Sequence, residues 1–331
     1  MYTIRDFDRT DAGYAAGVTL HNAAWPDDLA TVEDWKEWEA RRDPKYLNVG
    51  VMIDIDVPSD GTGEKTLVAI GGYGESHWSH QPGKYFMEVT VHPDYQGHGI
   101  ESFFFDTVSA RLADRDPKPA KFTADAREDK TEYIDFLKSR GYVQVMRYPV
   151  SQLDVTDYDF SRFAGSEERV TSEGIEIHTL THLMSVDPGW KEKIYELEWA
   201  LEQDMPYVDP PTKPSMEQFD KKFKSARFRP DGWFIAVDPV NGALDYVGMS
   251  TIWADSANTE KVHVGVTGTL NTYRRRGIAT ALKLRTFVYT QGVGAKYIET
   301  DNEENNPMYD LNIALGFKPK PAWVDFEKKL G

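Results

Sequence analysis

The chain has 331 residues, a length that suits two domains of about 150 residues better than one core. Its 54 acidic and 38 basic residues give a formal charge of −16, which repels phosphate backbones at long range and mildly attracts small cations, so nucleic acid is excluded as a first expectation. Cysteine is absent, which removes disulfides, thiolate metal sites and a cysteine nucleophile together. No apolar run approaches the roughly 18 residues a membrane helix needs, and the start lacks the basic-then-apolar pattern of a signal peptide. The expected location, by absence of any address, is the cytoplasm.

Taken in chain order, Tyr2-Thr3-Ile4-Arg5 opens as a strand. Strands are predicted over 47–55, 67–74 and 85–91, and helices over 99–113 and 131–140. Residues 156–173 are rich in Asp, Ser, Glu and Gly with little periodicity and read as a linker, leaving domains of 1–155 and 174–331. In the second of these, 175–180 alternates like a strand, and 190–203 spaces Ile194, Leu197, Trp199 and Leu201 as a helix that Met205-Pro206 stops. A short helix is expected over 215–225. Strands over 233–237 and 246–254 are joined through Asp238-Pro239-Val240-Asn241-Gly242, whose Pro and Asn-Gly are hairpin chemistry. A strand over 261–270, a helix from 277 to 290, a strand over 296–300, a short helix ending at Gly316 and a strand near 323–326 complete the chain.

The two halves share one plan. Tyr95-Gln96-Gly97-His98-Gly99-Ile100 recurs as Tyr273-Arg274-Arg275-Arg276-Gly277-Ile278 at an offset of 178 residues. Phe136-Leu137-Lys138-Ser139-Arg140-Gly141-Tyr142 recurs as Leu311-Asn312-Ile313-Ala314-Leu315-Gly316-Phe317 at 175, and the opening Tyr2-Thr3-Ile4-Arg5 as Ile175-Glu176-Ile177-His178 at 173. Three near-equal offsets in the same order indicate duplication.

The chemistry concentrates where the strand over 261–270 meets the following helix. A helix start exposes unpaired N–H groups and a partial positive charge, which bind phosphate. Gly277 lets an anion approach the backbone, Ala279 leaves the first turn unobstructed, and Arg274, Arg275 and Arg276 add charge. The plain alternative is a solvated basic turn.

This segment resembles the pyrophosphate signature of the GNAT acetyltransferases, Gln/Arg-x-x-Gly-x-Gly/Ala, filled by Arg274, Gly277 and Ala279 with Ile278 between them. Asn305, Met308, Leu311 and Asn312, followed by Leu315-Gly316-Phe317, resemble that family's late helix along the cofactor's pantetheine arm. The two-domain arrangement is similar to that of the mycothiol-synthase group of tandem GNATs. The resemblance covers the second half and, more weakly, the first. It implies an α/β (α+β mixed sheet) fold class: two tandem GNAT folds, each a twisted, mostly antiparallel central sheet flanked by helices. It also implies acetyl-CoA as cofactor, with direct acetyl transfer to an amine and neither a covalent intermediate nor a metal.

On the same signature the first half offers Gln96 and Gly99 but Glu101 at the Gly/Ala position. A carboxylate suits a helix start, yet it competes with pyrophosphate for the same N–H groups. The first domain is therefore expected to bind acetyl-CoA weakly or not at all and to brace or wall off the second.

The resemblance further implies thioester-oxygen donors in the backbone around Thr269 and Leu270. It puts His263 where several members carry a basic carboxylate, although a histidine there can equally pack or bond locally. Asn312 stands where the family's acidic tyrosine is usual, and Tyr309, one turn earlier, is a substitute candidate. Substrate contacts are expected from Glu202, Asp204 and Tyr207, with Trp233 or Tyr207 over the apolar part of a cationic amine; solvated loop acids are the plain alternative. Prolines 206, 210, 211 and 214 suggest a stiff, closed rim and so a small-molecule amine. A peptide or protein acceptor and a non-catalytic acyl-CoA-binding scaffold remain as alternatives. The sequence does not speak to oligomeric state.

Overall fold

The computed structural model describes residues 1–56, 65–240 and 243–331. In chain order the elements are β1 (Tyr2–Asp6), α1 (Asp11–Ala24), α2 (Val32–Arg41), β2 (Asn48–Asp56), β3 (Lys65–Gly74), β4 (Lys84–Val91), α3 (Ile100–Leu112), β5 (Lys121–Arg127), α4 (Thr131–Ser139) and β6 (Val143–Asp154). There follow α5 (Ser166–Ser172), β7 (Glu176–Thr179), α6 (Leu180–Val186), α7 (Trp190–Glu202), α8 (Met216–Lys221), β8 (Phe234–Val240) and β9 (Ala243–Ala254). The chain ends with β10 (Lys261–Thr269), α9 (Ile278–Gly292), β11 (Tyr297–Asp301), α10 (Pro307–Ala314) and β12 (Lys318–Lys329). This is the mixed α/β fold expected. The α1 and α2 helices were not foreseen, although both carry ordinary start signals: Thr10 caps α1, and Thr31 with Asp34 forms a capping box on α2.

The chain packs as two compact units. The first holds Met1–Met146 together with Val324–Gly331, and the second holds Arg147–Trp323. In the first, β1 to β4 form an antiparallel meander and β5 joins β4 in parallel. The core of that unit gathers Phe104, Phe105 and Val108 of α3 over Tyr85, Met87 and Phe122, with Val324 and Phe326 from the end of the chain. In the second, β7, β8, β9 and β10 pair antiparallel in that order, β11 joins β10 in parallel, and β6 flanks β11.

This division differs from the expected one. Each repeat gives up its last strand: β6 runs beside β11 along residues 150–154, and β12 is the neighbour of β5. Pairing partners far apart in sequence leave no mark in local periodicity, so a boundary at 155 could not be corrected from the chain alone. The expected linker over 156–173 is also structured. It contains α5, whose buried Val170 packs with Ala281 and Leu282 of α9, and whose Glu167 pairs with Arg285. The Asn241-Gly242 turn lies outside the described residues.

Candidate active site

The second unit opens along β10. That strand pairs with β11 only from Lys261 to His263, opposite Tyr297 to Glu299. Beyond His263 that edge of β10 has no ladder partner among the described residues, so its backbone donors and acceptors face an opening. On its other edge β10 follows β9, with an irregularity between Val264 and Thr267. The glycine there is required: a Cβ on Gly265 would lie 2.5 Å from Trp253 Nε1 and 2.7 Å from Thr251 Oγ1. Thr251 Oγ1 instead accepts the Val266 N–H at 2.9 Å.

At the end of β10 the chain turns into α9 through the arginine segment. Arg275 has φ 65°, the one non-glycine residue with positive φ among those described, and Gly277 follows at φ 82° as the residue capping α9. Holding a side-chain-bearing residue in this region costs roughly 1–2 kcal/mol, the kind of strain that concentrates at functional loops. No side chain caps α9, and its first internal bond runs from Ala281 N–H to Gly277 C=O. The N–H groups of Ile278, Ala279 and Thr280 are left for an anion. Ile278 contributes only its backbone, because its side chain is in the core.

The three arginines do not act alike. Arg274 Nη2 lies 2.8 Å from Asp204 Oδ2, and Asn271 Nδ2 donates to Asp204 Oδ1 at 3.2 Å. Arg276 pairs with Glu173 at 2.8 Å. Arg275 is exposed and makes no ion pair among the described residues. Asp204, expected at the acceptor, is thus tied to the arginine segment from the loop after α7.

Thr269 and Leu270 also divide. The Leu270 N–H donates to Val247 C=O at 2.8 Å and is therefore unavailable as an oxygen donor, which corrects the expectation for that residue. Consecutive N–H groups of a strand point to opposite edges, so that of Thr269 faces the opening.

At the vertex, where β10 and β11 part, His263 Nε2 lies 2.8 Å from Asp255 Oδ2, and Lys261 Nζ lies 3.0 Å from the same oxygen. Burial pushes the Asp255 carboxyl up, but hydrogen bonds from His263 and Lys261 outweigh it and hold the group well below the usual carboxylate range. A histidine fixed by a carboxylate is the arrangement of an oriented base. Asp301, at the end of β11, reaches solvent yet is hemmed in closely, which pushes its carboxyl up, countered in part by a backbone hydrogen bond and by the nearby His263. The loop after α7 completes this region: Tyr207 donates to Glu202, burial raises both groups, and Tyr207 also feels the charge of Asp301. Glu202, Tyr207, Asp301 and His263 therefore form one acidic, partly buried polar region.

Trp233 does not belong to it. Its ring is 1% exposed, packs among Phe223, Phe228 and Trp253, and donates to Ile252 C=O, so it cannot cover a substrate. On and before α10, Asn305 is exposed with its amide turned to Glu303, Tyr309 is half-buried, and Asn312 is fully buried with Nδ2 donating to Asn302 Oδ1 at 2.6 Å. Sequence reasoning missed Asp255, Asp301 and the buried Lys283 of α9. Asp301 had a signal, since Asp125 repeats it within the duplicated β5 and β11.

The first unit carries the same loop with different chemistry. Gln96 Nε2 donates to Val91 C=O at 3.4 Å, as Arg274 Nε does to Thr269 C=O at 3.4 Å. Gly97, at φ 76°, stands where Arg275 stands, and Gly99, at φ 78°, precedes an uncapped α3. The β4 and β5 strands also part early, pairing only from Lys84 to Phe86. The opening is acidic, however. Glu88 and Asp125 reach solvent yet are hemmed in closely; burial raises both, and the charges of Glu88 and Asp325 help push Asp125 up to about 7. Glu101 sits in the first turn of α3.

No protein-family profile and no curated protein matches the sequence. Solved structures do match. A GCN5-related N-acetyltransferase from Sphaerobacter thermophilus is 20% identical, with a TM-score of 0.68 over 99% of this chain and 95% of that one. A tandem GNAT protein from the clavulanic acid biosynthesis pathway is 17% identical, with a TM-score of 0.73 over 100% of this chain and 99% of that one. The N-myristoyltransferase of Saccharomyces cerevisiae, solved with bound myristoyl-CoA, is 10% identical, with a TM-score of 0.60 over 99% of this chain and 79% of that one. At these identities the likeness is one of fold, and that fold is the tandem GNAT acetyltransferase fold.

Proposed function

We propose that the chain is an acetyl-CoA-dependent N-acetyltransferase whose second unit moves an acetyl group directly to the primary amine of a small molecule. One observation carries this reading: the uncapped start of α9, reached through the strained Arg275 and Gly277, lies at the end of a β10 edge that has lost its partner. An anion-holding helix start beside an open strand edge suits a ligand with a pyrophosphate at one end and amides along its arm.

The N–H groups of Ile278, Ala279 and Thr280, with Arg275 and Arg274, hold the pyrophosphate. The Thr269 N–H is placed to donate to the thioester oxygen, a contact that gains strength as charge develops there. His263, oriented by Asp255, takes the proton from the attacking amine. Glu202 and Asp301 supply the negative field that draws in a cationic amine, and Tyr207, donating to Glu202, lines the same region. The bound thioester supplies the acetyl group. The first unit, with Glu101 in the first turn of α3 where the second unit has Ala279, does not hold acetyl-CoA.

Asn312 favours a second reading. It is buried where the resemblance has a tyrosine, and an amide supplies no proton at neutral pH, as in a scaffold that binds acyl-CoA without turnover. The test is thiol release from acetyl-CoA by the whole chain, with panels of small primary amines and of peptides. Release stimulated by a small amine supports the proposal, and release stimulated only by peptides moves the acceptor to a polypeptide. Binding without thiol release, including slow hydrolysis, leaves the scaffold.

A further inference from the structure

The Asp255 carboxylate is fully engaged. Its Oδ1 accepts the backbone N–H groups of Ala257 at 2.9 Å and Asn258 at 2.8 Å. Its Oδ2 lies 2.8 Å from His263 Nε2 and 3.0 Å from Lys261 Nζ. A carboxylate offers about four acceptor positions, so none is left over. The side chains of Asp255 and Lys261 are 8% and 7% exposed, whereas that of His263, at 25%, reaches the opening between β10 and β11.

This arrangement settles which imidazole nitrogen is free. Hydrogen bonds hold Asp255 ionised, and an ionised carboxylate only accepts, so His263 Nε2 carries the hydrogen between them. The neutral ring then keeps its lone pair on Nδ1, which has no protein partner among the described residues.

The charges around the ring are also ordered. Alternate strand residues share a face, which puts Lys261 and His263 of β10 beside Glu299 and Asp301 of β11, with His263 directly opposite Glu299. The charged groups facing His263 are therefore Asp255 from the β9–β10 loop, Lys261 from its own strand, and Glu299 and Asp301 from β11. The β9 strand sets the uncharged Trp253 opposite it. Glu299 is itself matched by Lys320 of β12 at 2.6 Å and lies 4.0 Å from Lys261 Nζ. Lys261 is thus the one cation that shares an oxygen with the histidine. A proton gained by the ring places two positive charges no more than about 6 Å apart, a separation at which they repel appreciably in a partly buried setting. Asp255 alone would hold an imidazolium firmly, and the ammonium beside it offsets that pull.

We infer that Lys261 is a positioning residue for His263: through the oxygen they share, it keeps the ring in the Nε2–H form with Nδ1 as the base, and it limits how firmly the imidazolium is held. The use of Nδ1 as a base rests on the acetyl-transfer reading, and the ordering of charge does not. In that use the N–H bond of the amine breaks, the Nδ1–H bond forms, and the electron pair left on the amine nitrogen is the one that attacks.

The test is imidazole-nitrogen NMR of the whole chain labelled with ¹⁵N-histidine, with His263→Gln assigning the signal among the eight histidines. In the parent, the neutral ring is expected as Nε2–H; an Nδ1–H ring overturns the inference, and this measurement needs no variant. Lys261→Gln keeps an N–H donor towards Asp255 but removes the charge. The pH at which His263 is half-protonated is expected to rise by about half a unit to two units, and the acid limb of the pH–rate profile for acetyl transfer to rise with it. In Lys261→Arg, which keeps the charge, both stay close to the parent. No rise in Lys261→Gln, or an equal rise in Lys261→Arg, overturns the inference, since charge is then not what Lys261 contributes. If the titration moves as expected while His263→Gln leaves acetyl transfer unchanged, the ordering of charge stands and the reading of His263 as the base fails. Thermal melts of the variants separate misfolding from altered protonation.

Discussion

Arg274 Nη2 and Asp204 Oδ2 form a 2.8 Å ion pair between residues 70 positions apart in the chain. The arginine that the signature assigns to pyrophosphate is thus already neutralised by the loop after α7, which also carries Tyr207. An incoming diphosphate competes with Asp204 for that guanidinium. Asp204→Asn is expected to tighten acetyl-CoA binding about two- to fivefold, the scale of an exposed ion pair, and to cost less than about 1 kcal/mol of stability. Calorimetry and thermal melts check both. Weaker binding in the variant would mean that Asp204 aims the arginine rather than competing for it.

Arg275 occupies a backbone conformation that its first-unit counterpart, Gly97, adopts freely. Arg275→Gly is expected to raise stability by about 0.5–1 kcal/mol by relieving that strain. It should also weaken acetyl-CoA binding, and less so at high salt, because an unpaired cation is lost beside the anion site. A lower melting temperature in this variant would show that the loop is not strained at this residue.

Lys283 is a buried cation without a hydrogen-bond partner among the described residues. Its native pKa lies near 7, below the ordinary 10.5, so the unfolded chain binds the extra proton. The penalty therefore grows as pH falls from about 10.5 to about 7 and is level below that. Lys283→Met is expected to stabilise the protein at pH 7, by as much as several kcal/mol, and to do so much less at pH 10. Urea unfolding at the two pH values measures this, and a gain independent of pH would refute the charge argument.

His263 and Asp255 make a separable pair. His263→Gln is expected to lower the maximal rate of acetyl transfer 10²–10⁴-fold with little change in acetyl-CoA affinity. Asp255 has its pKa depressed in the folded state, so its contribution is present above the ordinary carboxylate value of about 3.8 and is lost as pH falls through and below it. Asp255→Asn should therefore flatten the acid limb of the stability curve below about pH 4. An unchanged limb would mean that its hydrogen bonds to His263 and Lys261 carry no net energy.

Much of the fold was legible because duplication writes itself in offsets, and the Arg274, Gly277 and Ala279 set because a phosphate site needs those residue types in that order. The α1 helix was not, since Gly13 and Gly17 lower helix propensity exactly where close packing on Asp8 and Trp35 demands them. The exchange of β6 and β12 was hidden because strand partners are chosen by tertiary register. Trp233 misled because an aromatic at a strand start reads the same whether it faces a ligand or the core. Leu270 misled because the destination of a backbone N–H is invisible in sequence. Lys283 looked like one more helix lysine, and only its burial distinguishes it.

The central claim is that the second unit alone holds the acyl carrier, and the most direct measurement is calorimetric titration of acetyl-CoA into the whole chain and into Ala279→Glu. That substitution gives α9 the carboxylate that Glu101 gives α3. The account predicts one site in the parent and none in the variant. Two sites in the parent, or one site that survives the substitution, would contradict it.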